Sequence, residues 1–305
     1  MAETRPTPGE HPLLSAAPLV FVLLWSTGFI VAKYAAPHAP PLTFLLYRFA
    51  GAVAILLPLV VIAKAPWPRG GRGWRDVIIV GVLLQATYLG GVWCAIALGM
   101  PAGVSALLVG VQPLLTALLA FTVNERASRL QWVGLVVGFV GVALVLSDRL
   151  TLAGVQPLAL VVNFLALAGI TAATLYQKKH GTDVDLRTGS LIQFAASFVV
   201  LLPFAIATES MVVNFTLEFW LALVWSIVAL SLVAITLLLV MIRRGRATEV
   251  TSLMYLTPPT TAVMAWLMFD EMLGPVAWAG VLVTMAGVAL VLTKSKLSAS
   301  STRSV

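Results

Sequence analysis

The segment from Val104 to Leu146 returns in pattern, with landmark residues kept, as the segment from Val250 to Leu292. Pro113 and Pro259, Glu125 and Glu271, Trp132 and Trp278, and Gly141 and Gly287 are each 146 positions apart, so the copies align without a gap. Each copy reads as an apolar helix with proline at its middle, a charged turn, and a second apolar helix rich in small residues. A repeat held at one offset makes the chain two copies of one structural unit, and every other feature has to fit that duplication.

The medium follows from how little polar surface is present. With 60% hydrophobic and 10% charged residues and a mean hydropathy of +1.00, the chain cannot cover a water-soluble globule of 305 residues. A bilayer span needs about 20 mostly apolar residues. Ten such runs are expected, at 16–35, 42–63, 77–97, 102–122, 130–146, 157–176, 188–207, 219–241, 249–268 and 275–292. The expected fold class is therefore an all-α integral membrane protein with ten transmembrane helices.

The net charge of +7 is not that of a nucleic-acid binder, because the charges lie in the connections between apolar runs. Lysines and arginines gather on one set of connections, among them Lys64, Arg69, Arg72 and Arg75, Lys178 and Lys179, and Arg243, Arg244 and Arg246. The opposite set holds Arg149. The asymmetry predicts both termini in the cytoplasm. Five spans per half is an odd number, so the halves enter the membrane in opposite senses. This predicts two inverted five-helix repeats, 13–147 and 148–293, between short tails at 1–12 and 294–305. Fainter echoes at an offset of 145, such as Phe49 and Phe194, extend the repeat to the first helices of each half. Secondary carriers use this architecture for alternating access.

Pro113 and the pair Pro258 and Pro259 interrupt spans at matching places in the two halves. A proline removes a backbone donor and frees the carbonyl four residues back, here those of Val109, Met254 and Tyr255. Such breaks either are kinks packed by neighbours or mark a binding site near the midplane. Polar and aromatic side chains within spans supply the expected substrate cavity: Trp25, Ser26, Gln85, Tyr88, Gln112, Asn163, Thr171, Trp225, Tyr255 and Thr257. Thr27, Trp93, Thr174, Ser226 and Ser231 belong to the wider pool. Hydroxyl, amide and aromatic groups with almost no charge suit a neutral, zwitterionic or aromatic solute.

The charged residues at span ends leave alternatives open. Glu125 and Glu271 each cap the helix that follows, pair with a nearby arginine, or form a gate salt bridge. Lys33 is placed to snorkel to the headgroups. Arg48 lies deeper and either snorkels or needs a partner, with Asp270 and Glu271 on the same side. No acidic residue is expected deep in a span, which argues against a proton relay there; Glu249 is the least unsuitable candidate. Gly134, Gly138 and Gly141, with Gly280, Thr284 and Gly287, make small faces for close helix packing inside the chain, and the same faces would also serve a homodimer.

The stretch WSTGFIVAKYAAPHAPPLTFLLYRF, with Trp25, Phe29, Lys33, Pro41, Arg48 and Phe49 in place, together with the repeated proline, glutamate, tryptophan and glycine unit, resembles the drug/metabolite transporter superfamily. The similarity is to its ten-helix EamA-type members, which include amino-acid exporters of the YddG type. It implies a pseudo-two-fold bundle with a cavity between the halves, export of a small metabolite, and residence in the inner membrane. An enzyme is not expected: His11, His38 and His180 are far apart, and no nucleophile and base suggest a site. No cofactor or metal is expected, and the chain has no phosphate-binding loop. The expected partners are a small-molecule substrate and the lipid bilayer. A passive facilitator is the alternative to a carrier.

Overall fold

The computed structural model describes residues 12–100, 102–147, 156–180, 184–244, 247–269 and 274–301. They form ten helical rods. These are α1 (Pro12–Ala35), α2 (Pro41–Ile62), α3 (Gly70–Ala97), α4 (Ala102–Val109, resuming as Gln112–Val123) and α5 (Arg129–Leu146), followed by α6 (Pro157–His180), α7 (Leu186–Thr208) and α8 (Leu217–Arg244). α9 runs as Ala247–Ser252, Leu253–Leu256 and Thr257–Phe269, and α10 as Pro275–Ser301. No strand occurs among the described residues. By length and apolarity α2, α3, α6, α7 and α8 are each able to cross a membrane, and shorter apolar helices lie at Ala17–Ala32, Gln112–Val123, Arg129–Val145 and Pro275–Val291.

Most rods begin within a few residues of the expected positions. α3 starts earlier, at Gly70, because the stretch through Arg75 and Asp76 is already helical, and α10 continues past 292 to Ser301. Local chemistry fixes the starts. Ser128 and Gln131 form a reciprocal capping box that opens α5. Asp185 caps α7, and Thr216 caps α8. The start of α2 is capped from the other half: the Glu209 carboxylate accepts from the Leu42 and Thr43 amides and from the Thr43 hydroxyl, all at 2.7 Å. Its negative charge also suits the positive end of the helix dipole.

The prolines of the repeat sit where half-helices restart. Pro113 lies in the first turn of Gln112–Leu119, after a turn at Gly110 and Val111. Pro258 and Pro259 lie in the first turn of Thr257–Phe269, after a 3-10 turn at Leu253–Leu256. A first-turn proline loses no intrahelical bond, and its fixed φ suits a helix start. Each rod is therefore two helices in series. A second pair of irregularities carries no proline: α3 is π-helical over Val82–Leu89 and α8 over Ser226–Ala234. At an offset of 145 these are equivalent stretches of the two halves.

Packing respects the duplication. α3 lies on α6 as α8 lies on α1, α4 on α6 as α9 on α1, and α3 on α7 as α8 on α2. The remaining major pairs, α2 with α7 and α5 with α10, join equivalent helices of the two halves. Both of these pairs run antiparallel. The start of α2 at Leu42 meets Glu209 just past the end of α7, and Pro66 beyond α2 accepts from Thr188 near the start of α7. In the other pair Gly134 meets Gly287 while Val145 meets Gly280. In these two pairs, equivalent helices point in opposite directions. Phe44, Phe49, Phe194 and Phe219 are fully buried where the halves join.

Candidate functional site

Where α1, α2, α3 and α8 converge, Trp25, Phe29, Arg48, Tyr88, Trp93 and Leu230 line a cavity of about 40 Å³, room for two or three waters. Trp25 and Tyr88 are stacked with planes 2° apart and centroids at 6.2 Å. Phe44 backs Trp93 at 4.8 Å. Gly28 and Ala32, which carry no chemical signal in the sequence, leave the space open on the α1 side. Trp93 and Ser231, members of the wider pool, belong to this site; Leu230 and Ile235 join its wall from the π segment of α8 and the residue after it.

Arg48 does not snorkel. Its side chain turns inward, leaves the residue 3% exposed, and donates through Nε to Ser231 Oγ at 2.7 Å. Asp270 and Glu271, the expected ion-pair partners, lie outside the described residues. So does the expected gate role of Glu271, and the side chains of Lys33 and Glu249 are likewise not described.

Gln85, one helical turn from Tyr88 and in the π segment of α3, is fully buried, and neither atom of its amide has a partner among the described residues. The same holds for the Gln112 carbonyl and for the hydroxyls of Thr116, Ser226, Tyr255 and Thr257, and also for Gln131 Nε2, the Ser190 hydroxyl and Gln193 Oε1. Gln85 and the first five of these lie in a π segment or near a helix break, where backbone geometry is already irregular; Gln131, Ser190 and Gln193 lie in regular helix. Buried polar atoms without partners are costly and concentrate where water or a ligand is handled.

The other expected cavity residues are used differently. Ser26 donates to the Val22 carbonyl at 2.7 Å and lies 3.4 Å from the Thr257 carbonyl, holding α1 to the break in α9. Its repeat equivalent Thr171 donates to Leu167 at 2.7 Å. Gln112 donates to Thr174 at 3.2 Å, holding the break in α4 to α6. Asn163 is engaged with Ser105 at 2.6 Å and works as a clasp between α6 and α4. The Tyr255 ring packs against Gly138 of α5.

Trp225 stands apart. It is 45% exposed and its indole nitrogen donates to Thr27 at 2.9 Å beside a separate groove between α1, α8 and α9, lined also by Ile30, Tyr34, Glu218, Leu221 and Met264. That groove is far larger than the central cavity, about 490 Å³; apart from Glu218 its walls are mostly apolar, part buried at Ile30 and Ala222 and part exposed at Leu221 and Trp225. Glu125 does not cap α5, since Ser128 does; it lies 3.7 Å from Lys178 of α6 and ties the α4–α5 turn to that helix. No group of three metal-ligating side chains occurs among the described residues.

The EamA-like transporter family matches over residues 14–147 and again over 157–293, one match per half. The chain is similar to an uncharacterized inner membrane transporter of Escherichia coli, YedA, at 24% identity over 92% of this chain and 90% of that protein. It is similar to an uncharacterized transporter of Bacillus subtilis, YvbV, at 27% identity over 90% of each. A probable amino-acid metabolite efflux pump of Escherichia coli is 24% identical over 88% of this chain and 91% of its own length. A solved crystal structure shares the fold at a TM-score of 0.75 and 17% identity, covering 93% of this chain and 98% of that one. Matched along both of its halves, this membrane transporter chain belongs to the EamA-like transporter family.

Proposed function

We propose that the chain is a secondary carrier that exports a small neutral, zwitterionic or aromatic metabolite, an amino acid first among them, by alternating access. In this reading all ten rods cross the membrane as two inverted five-helix repeats, 13–147 and 148–293, with both termini and the basic connections in the cytoplasm. The observation that carries the reading is the aromatic cavity at the junction of α1, α2, α3 and α8, bordered by π segments at equivalent places in both halves. At about 40 Å³ it is too small for an amino acid, so a solute enters only when the surrounding helices part. The broken rods α4 and α9 and the two π segments are where such rearrangement costs least, because fewer regular helical bonds have to be given up there. The name of one relative, an amino-acid metabolite efflux pump, supports the direction and the substrate class.

Counterflow tests the reading. Proteoliposomes are preloaded with unlabelled aromatic and neutral amino acids, one at a time, and given the labelled compound outside. A carrier accumulates label transiently, and only when the internal partner is present. Flux that follows the gradient for many solutes and never overshoots would replace the carrier with a passive facilitator.

A further inference from the structure

We infer that the Arg48 guanidinium is the receptor for a carboxylate on the transported solute, whose flat apolar body lies among Trp25, Phe29, Tyr88 and Trp93. The inference rests on the reading of this cavity as the substrate site.

Arg48 carries a charge that no acidic side chain among the described residues balances. Arginine stays protonated in proteins, and a buried unpaired ion is among the costliest things a fold can hold. Arg48 is 3% exposed, and its only hydrogen bond among the described residues is from Nε to a neutral hydroxyl, Ser231. No carboxylate among those residues comes within ion-pair distance of it. A structural bridge between α2 and α8 would need only a neutral donor. A guanidinium whose Nε is fixed by Ser231 instead keeps its terminal nitrogens for a planar two-oxygen acceptor, the geometry that arginine and carboxylate share.

The surroundings limit what else that acceptor belongs to. The cavity wall offers aromatic faces, aliphatic side chains and the Tyr88 hydroxyl, and Arg48 is the one charged group among the described residues of that wall. At the equivalent position of the second half stands Gln193, 145 residues on, which is neutral. One cation and no second one at the symmetry mate fit one negative charge per solute. A di- or polyanion would leave charge unmatched.

The test uses the purified full chain in lipid nanodiscs and two matched pairs of probes: phenylalanine with phenylalaninamide, and indole-3-acetate with indole-3-acetamide. Equilibrium binding of the tritiated compounds is expected to favour the acid by about tenfold or more in at least one pair. Arg48→Gln is expected to abolish that preference, Arg48→Lys to keep part of it, and Ser231→Ala to weaken the acid by about twofold to fivefold without moving the amide. Because the glutamine variant removes a buried charge, its melting temperature is expected to equal or exceed that of the parent; a large fall would mark Arg48 as structural and overturn the inference. Equal affinity within both pairs, no binding by any probe, or an acid preference surviving in Arg48→Gln would also overturn it. Counterflow with equal affinity for acid and amide would retire the anion receptor and keep the carrier. Acid-selective binding lost in Arg48→Gln, without counterflow of any solute, would retire the carrier and keep the receptor.

Discussion

Gly134 of α5 and Gly287 of α10 approach so closely that a Cβ added to either would lie 2.7 Å from the carbonyl oxygen of the other. The repeat-equivalent contact, from a Cβ added at Gly280 to the Gly141 carbonyl oxygen, is also 2.7 Å, as expected of equivalent helices crossing near a pseudo-two-fold axis. Close approach continues along the pair at Gly141 with Thr284 and at Gly280 with Val145. Backbone atoms in two packed helices cannot yield as the tip of a side chain can. Gly287→Ala and Gly134→Ala are each expected to destabilise the bundle by about 1–3 kcal/mol, read as a lower melting temperature in detergent. Gly71→Ala, with nothing within 4 Å of the added carbon, is the control and is expected to be neutral or slightly stabilising.

Glu209 holds the first turn of α2 with both carboxylate oxygens. Glu209→Gln keeps the size but replaces one acceptor oxygen with a donor and removes the charge at the helix N-terminus. A loss of about 1–2 kcal/mol is expected. Thermal unfolding followed by intrinsic fluorescence would detect it.

The two tryptophans proposed for the cavity separate cleanly. Trp25→Ala and Tyr88→Ala remove a stacked wall of the central site and are expected to lower counterflow by about threefold to tenfold. Trp225→Phe changes only the separate groove, and transport is expected to stay within about twofold of the parent. Equal losses in all three, in protein inserted to the same level, would show that the central cavity is not where the solute binds.

Asp185 lies just before α7 and is bonded to the Arg187 side chain, which holds its carboxyl below the usual carboxylate range. With its pKa lower folded than unfolded, the group contributes stability above about pH 4. That contribution is lost as pH falls through the depressed value. Asp185→Asn is expected to flatten the acid limb of a stability profile below about pH 4 and to leave the neutral limb shifted down by a constant amount.

How far the sequence reaches depends on the range of each signal. The duplication at 146 positions announces which helices are equivalent, and the glycines of α5 and α10 announce faces for close packing, while the structure supplies that the two faces meet each other. Pro113, Pro258 and Pro259 mark the breaks because proline acts on its own backbone. The capping box at Ser128 and Gln131 is a local pattern too, but Glu125 is the more conspicuous residue and draws the capping role wrongly. The π segments carry no such mark: Val82–Leu89 and Ser226–Ala234 look like any apolar run, and the extra residue per turn is imposed by packing. Glu209 and Leu42, 167 positions apart, are joined only by the fold. Trp225, which lines a different groove from Trp25, shows a related limit. On a helix apolar all round, periodicity does not separate the face toward a cavity from the face toward lipid, so its exposure could only be seen in three dimensions.

The neutrality of Gln193 opposite Arg48 has an electrical consequence. Two identical inverted halves would give two access states that mirror one another and have equal free energy in the absence of a field. A fixed positive charge in one half removes that equality. If the field across the site changes as the halves rock, the membrane voltage does work on Arg48, up to about 2.3 kcal/mol for one charge across the full drop at 100 mV. A carboxylate solute without an amine would cancel that work, whereas a zwitterionic amino acid, with no net charge, would leave it in place. The membrane potential would then set which way the empty carrier waits, and whether the loaded carrier also senses voltage would depend on the net charge of its solute.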